Sequence, residues 1–153
     1  MITLDQIEKA QKKWGDGIVK IGSLKNNYKL CKKFTSNFLY QTYKLKEGKI
    51  LFKPTKASKE QFRSNIDMAL SYFIGGEDSF CKEDIGFAMK PWVKVLFENS
   101  GFIFEESRAI AMGNYFFTDS NGKTIKVEYS FGYKLINSKL YIDLHHSSLP
   151  FCK

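Results

Sequence analysis

The sequence predicts an α+β fold: a curved antiparallel sheet with N-terminal helices packed on its concave face, in one domain over residues 1–153. Three observations predict it. Apolar residues recur at helical spacing through the first half of the chain, and after Gly86 they alternate as in strands. A length of 153 residues with 43 % apolar content suits one domain with a real core. Helices followed by a run of strands is an α+β order. A curved sheet closed on one side by helices is a cone with a pocket inside.

Thr3 with Gln6 three residues later is a capping box, and Ile2 and Ile7 stand where a hydrophobic staple places them, so a helix starts at Leu4. Ile7, Ala10, Trp14, Ile18 and Ile21 form its apolar stripe. Gly15 and Gly17 weaken the helix and admit a close neighbour. A second helix runs from Tyr28 to Tyr40 and buries Cys31, Phe34, Phe38 and Leu30. Ile50 to Phe52 is a short strand ended by Pro54. Ser58 to Gln61 reads as another capping box. The helix after it carries Phe62, Ile66, Ala69, Leu70 and Phe73 on one side and stops at Gly75-Gly76. Strands follow over 92–97, 109–118, 125–133 and 140–148, with turns at Asp119–Gly122 and Asn137-Ser138.

The net charge of +8 is uneven: residues 1–60 hold 14 Lys against five acids, and residues 61–153 hold 10 Lys or Arg against 11 acids. Scattered lysines on helices read as a solvated face, and no nucleic-acid motif accompanies them, so no nucleic-acid partner is expected. No segment is apolar enough to span a membrane, and no signal-peptide pattern is seen. Cys31, Cys81 and Cys152 are odd in number and widely spaced, which fits a reducing compartment; a cytoplasmic location is expected.

Six strings occur in order: LFKPTKA (51–57), ALSYFIGG (69–76), GFAMKPW (86–92), AMGNYFFT (111–118), VEYSFGY (127–133) and LHHSSLP (144–150). Over residues 45–151 they resemble the iota-class carbonic anhydrases. That domain is similar to the association domain of calcium/calmodulin-dependent kinase II and to the SnoaL-like, nuclear-transport-factor-2-like cones. Ser130 stands where the family pattern has Thr. The resemblance implies a homodimer that interconverts carbon dioxide and bicarbonate without a cofactor. It also implies a pocket that binds bicarbonate through hydroxyls, at positions matching Thr55, Tyr72 and a serine of the HHSS string, Ser147 or Ser148. His145 and His146 are supporting candidates, as shuttle or orienter.

Residue chemistry agrees on the metal. A catalytic zinc needs three protein ligands. The chain has two histidines, adjacent, and neighbours in a regular strand point to opposite faces. Hydroxyls can donate and accept, and so follow a proton between oxygens. The base is the weak link, because a free tyrosine titrates near about 10. Arg63 is a candidate to lower Tyr72, yet nine residues along one helix would set the two on opposite sides. In the last strand, Leu140, Ile142 and Leu144 share a face with His146 and Ser148. Parity therefore favours that pair for the pocket and leaves His145 and Ser147 for a dimer contact, unless a bulge reverses it.

Plain readings stand beside these. Thr55 can simply shape a turn, Tyr72 can be a core aromatic, and a buried histidine can merely satisfy backbone groups. The fold itself does not dictate catalysis. A non-catalytic oligomerisation or ligand-binding domain is the alternative, and a pocket filled by Phe would favour it. An isomerase would need a buried carboxylate, for which Asp67 and Asp143 are the candidates.

Overall fold

A computed structural model describes residues 1–153. Helix α1 spans Leu4–Ser23, α2 Tyr28–Thr42, and α3 Ile66–Ile74; strands are β1 Leu51–Lys53, β2 Trp92–Phe104, β3 Arg108–Asp119, β4 Thr124–Ile136 and β5 Lys139–Ser148. The strand order is β1-β5-β4-β3-β2. The expected meander is β2 to β5. The short β1 adds a parallel fifth strand beside β5, so the sheet is mixed.

Each helix begins where a side chain takes up free backbone N–H groups. The Thr3–Gln6 box closes as expected, with Thr3 Oγ1 accepting from Gln6 N–H. Asn27 caps α2 and Asn65 caps α3. Gly15 lies against Val95 of β2, and a methyl at Gly17 would stand 2.0 Å from the Phe38 ring. Gly15 therefore lets α1 close onto the sheet, and Gly17 lets it close onto α2.

The second expected capping box is not one. Residues 58–65 form no helix, Phe62 is exposed, and α3 starts only at Ile66. The N–H groups of Ser58, Lys59 and Glu60 are taken instead by the Glu83 carboxylate at 2.7–2.9 Å. Three backbone donors hold the Glu83 carboxyl down at about 2. Leu30, expected inside, is exposed, while Cys31 and Phe38 are buried as expected and Thr35, Leu39 and Thr42 join them.

The inner face of the sheet is aromatic. Tyr115, Phe117, Tyr129, Phe131 and Tyr133 are all at most 2 % exposed; Tyr115, Phe117 and Phe131 pack against Trp14 of α1, and Tyr129 and Tyr133 against Phe131. One irregularity matters for the site. Gly132 pairs with Leu144 but Tyr133 pairs with Ile142, so Asp143 is an extra, bulged residue in β5. Arg108 holds its carboxylate at 2.5 Å. A methyl on Gly132 would come within 2.9 Å of Asp143 Oδ1 and within 2.8 Å of Arg108 and Leu144, so the bulge is built over a residue without a side chain.

Candidate active site

The bulge reverses the parity of β5. His145 and Ser147 are 2 % and 1 % exposed inside the cone, whereas His146 is exposed and Ser148 is half-buried. The reading that favoured His146 and Ser148 is therefore corrected: they flank a shallow depression on the outer face with Met112 and Ser130, and Ser148 Oγ bonds Glu128. The alternation holds up to Ile142 and resumes shifted by one.

Inside, hydroxyls converge from five elements. Thr55 follows β1 directly, and the parallel pairing of β1 with β5 carries it to Ser147: the two oxygens are 2.7 Å apart. Ser147 Oγ lies 2.5 Å from the Tyr115 hydroxyl of β3. Tyr115 is in turn 3.1 Å from His145 Nε2. The far side of the imidazole meets the Tyr43 hydroxyl at 2.8 Å, and Trp14 Nε1–H donates to that same oxygen at 3.0 Å. Tyr72, on α3, accepts from the Lys56 backbone N–H and is 5 % exposed. It lines a cavity of about 490 Å³ whose other walls include Lys56, Phe87, Lys90 and Trp92.

The chain of bonds has one direction. An indole only donates. The Tyr43 hydrogen then has a single acceptor in reach, His145 Nδ1. The reverse arrangement would bury that hydrogen unpaired, at a cost of about 1–3 kcal/mol. His145 therefore carries its hydrogen on Nε2 and gives it to Tyr115. Tyr115 donates to Ser147, and Ser147 donates to Thr55 or, more weakly, to the Glu128 carbonyl at 3.3 Å. The ordered chain ends with the Thr55 hydroxyl.

No group here is a ready base. Burial pushes Tyr72, Tyr115 and Tyr43 above their ordinary value of 10. Burial also holds His145 well below 6.5, so it is neutral. With both ring nitrogens engaged and Phe52 stacked on it at 4.6 Å, His145 has the geometry of an orienter, not of a shuttle. Neither nitrogen is free to ligate an ion, and nowhere do three His, Cys, Asp or Glu side chains gather to hold one.

Arg63 departs from the expectation that it shares a helix with Tyr72. It lies before α3, 0 % exposed, with both terminal nitrogens on Asp84 at 2.7 and 2.8 Å and Nε on the Glu60 carbonyl. Its carbon sits 5.8 Å from the Tyr72 ring centroid. Its charge is spent on Asp84, and burial outweighs it in setting Tyr72. The isomerase candidates are not in the pocket: Asp67 is exposed in the first turn of α3, and Asp143 lies in the bulge. Trp14, Tyr43 and Tyr115 are site residues that the sequence reading gave no role. Tyr115 stood inside a quoted string and Trp14 in an apolar stripe, where both read as core.

The fold and site together define a class: a cone-shaped α+β domain with a neutral, hydroxyl-lined interior. Comparison with known proteins narrows this. The family profile described as metal-independent carbonic anhydrase matches residues 5–149. A metal-independent carbonic anhydrase of Nostoc sp. is 36 % identical over 98 % of this chain and 75 % of its own length. The crystal structure of a cyanobacterial iota-carbonic anhydrase complexed with bicarbonate superimposes with a TM-score of 0.94 at 34 % identity, over 99 % of this chain and 94 % of that one. A calcium/calmodulin-dependent kinase II association domain from Xanthomonas campestris, 17 % identical with a TM-score of 0.63 over 99 % and 91 % of the two chains, shares the fold alone. The chain belongs to the metal-independent carbonic anhydrases, whose reaction is the reversible hydration of carbon dioxide to bicarbonate without zinc.

Proposed function

We propose that hydration takes place where the hydroxyls of Thr55, Tyr72, Tyr115 and Ser147 converge, and that these groups hold bicarbonate, the ion with which the cyanobacterial relative is complexed. The observation that carries this is the hydroxyl chain anchored on a neutral, buried His145. With no base near neutrality, one hydroxyl works in both directions. Water attacks carbon; its departing proton passes to the Thr55 oxygen as the Thr55 proton passes to a carbon dioxide oxygen. Carbonic acid forms, the hydroxyl is regenerated, and the acid ionises to solvent at the cavity mouth. Fixed donors stabilise the charge growing on oxygen, and aromatic walls strengthen each bond by excluding water.

The test is stopped-flow hydration of carbon dioxide before and after exhaustive chelation. Activity persists in the chelated protein, and Thr55→Val and Ser147→Ala each lower kcat/KM by about 10²-fold or more, the scale for losing a positioned donor. Wild-type activity in both variants would sink this assignment.

The expected homodimer rests on the outer face of the sheet, where Leu96, Ile103 and Met112 are exposed. Light scattering that gives the monomer mass of 17.7 kDa would exclude it. All three cysteines are free, which suits a reducing compartment such as the cytoplasm; cell fractionation that finds the protein outside that compartment would overturn the location.

A further inference from the structure

A second cleft, of about 230 Å³, lies away from the hydroxyl chain, between α1, the last turn of α2 and the β4–β5 hairpin. Its chemistry differs from that of the catalytic interior. Lys13 of α1 and Lys139 of the hairpin both line it. The two ammonium groups come close enough that Lys139, after burial, holds Lys13 below its ordinary value. Neither has a carboxylate partner, although Lys9 nearby is paired with Asp5 and Lys12 with Asp16. No Asp or Glu lines the cleft. Two like charges left together without an acid repel, and an anion between them relieves the repulsion.

The second observation is independent of the lysines. Tyr133 also lines the cleft; it is 1 % exposed, and its hydroxyl has no hydrogen-bond partner. Every other buried tyrosine hydroxyl of the interior is satisfied: Tyr43 by Trp14 and His145, Tyr72 by Lys56, Tyr115 by His145 and Ser147, Tyr129 by Gln11 and Asn99. A buried hydroxyl without a partner is uncommon and calls for one.

We propose that this cleft is a second binding site, for a small oxyanion of the carboxylate or bicarbonate class. Lys13 and Lys139 supply charge-assisted donors, and the Tyr133 hydroxyl donates from the floor. Tyr133 is so well covered that the anion reaches its hydroxyl only as the side chains over it move aside, with the two exposed lysines then engaging the anion from the rim. The two lysines recruit by charge, and the single hydroxyl favours an acceptor oxygen over chloride. None of the three residues belongs to the hydroxyl chain of the catalytic interior, so this site stands whether or not the assignment of Thr55 and Ser147 holds.

The experiment is an NMR titration of isotope-labelled full-length protein with acetate and separately with bicarbonate, at ionic strength fixed with chloride. Saturable shifts at Lys13, Ser138 and Lys139 are expected with both anions. Lys13→Met and Lys139→Met each weaken that response about tenfold or more, the size expected for a lost charge-assisted bond. Both leave the bicarbonate response at Thr55 and Ser147 unchanged. Tyr133→Phe weakens acetate binding at the cleft while raising Tm in chloride alone, because an unpaired buried hydroxyl is removed. Shifts that grow linearly without saturating, that chloride reproduces, or that survive the lysine substitutions would overturn the proposal. Saturation by bicarbonate alone, at Thr55 and Ser147 only, would leave one anion site and refute the second.

Discussion

At the scale of the single residue, His145 carries the sharpest consequence. It is buried, neutral and bonded at both nitrogens. Solution ¹⁵N NMR is expected to find Nδ1 unprotonated and Nε2 protonated; the opposite tautomer would reverse the direction of the whole hydroxyl chain. The acid stability follows from the same burial. Folding holds the imidazole well below the 6.5 of the unfolded chain, so the unfolded state binds the extra proton. The contribution is complete above about pH 6.5 and is lost as pH falls below it, by up to about 1.4 kcal/mol per pH unit. Denaturant unfolding from pH 7 to 5 reads this slope directly. His145→Asn flattens it, and an unchanged slope in that variant would assign the acid sensitivity elsewhere. From sequence, the HHSS string marked this place but not which of its two histidines. Residue types announce hydroxyl chemistry; the partners at the two nitrogens, Tyr43 at the end of α2 and Tyr115 on β3, come from elsewhere in the fold and are not written in β5.

At the scale of the element, the bulge in β5 decides what those residues do. The expected alternation is correct for Leu140 and Ile142, and fails only after Asp143. A strand read alone cannot reveal this, because the cause lies across the sheet: Gly132 leaves room for the Arg108–Asp143 pair to sit over β4. Gly132→Ala is therefore expected to do more than add volume. The methyl meets Leu144 Cβ at 2.8 Å and the ion pair at similar range, costing about 1–3 kcal/mol. It also presses the bulge toward a regular register that would turn His145 and Ser147 outward. Carbon dioxide hydration should fall by more than the stability loss explains, in protein that remains folded by circular dichroism. A folded variant with full activity would show that the bulge does not depend on Gly132. The same kind of long-range cause explains the missing helix at 58–65. Ser58 to Gln61 has the local signature of a capping box, yet the Glu83 carboxylate, 23 to 25 residues later, takes the donors first. The cap at Thr3 and the stop at Gly75 were legible because their partners lie within a turn.

At the scale of the molecule, charge placement sets how the two substrates are treated. Carbon dioxide is neutral and bicarbonate is an anion, so a field at the cavity mouth discriminates between them without touching the chemistry. Lys56 and Lys90 stand at that mouth, both exposed. The acids beside them, Glu83 and Asp84, are already satisfied: Asp84 is held by Arg63, and Glu83 by three backbone donors. Counting Arg63 with Lys56 and Lys90, three cations stand there against the two carboxylates, a formal excess of one positive charge. Replacing Lys56 and Lys90 by Gln should therefore raise the constant for bicarbonate inhibition of carbon dioxide hydration by roughly two- to fivefold per lysine, the range for exposed charges. The KM for carbon dioxide should stay unchanged. The reaction's equilibrium is fixed, so kcat/KM in the two directions must move by one common factor. The effect is confined to how tightly the anion rests in the pocket and how fast it leaves. Salt provides the control: about 1 M shortens the screening length from about 8 to about 3 Å, and wild type should then approach the double variant. If the variant and wild type keep their difference at high salt, the lysines shape the mouth rather than its field. If bicarbonate inhibition is equal in both at low salt, the anion is held by the interior hydroxyls alone.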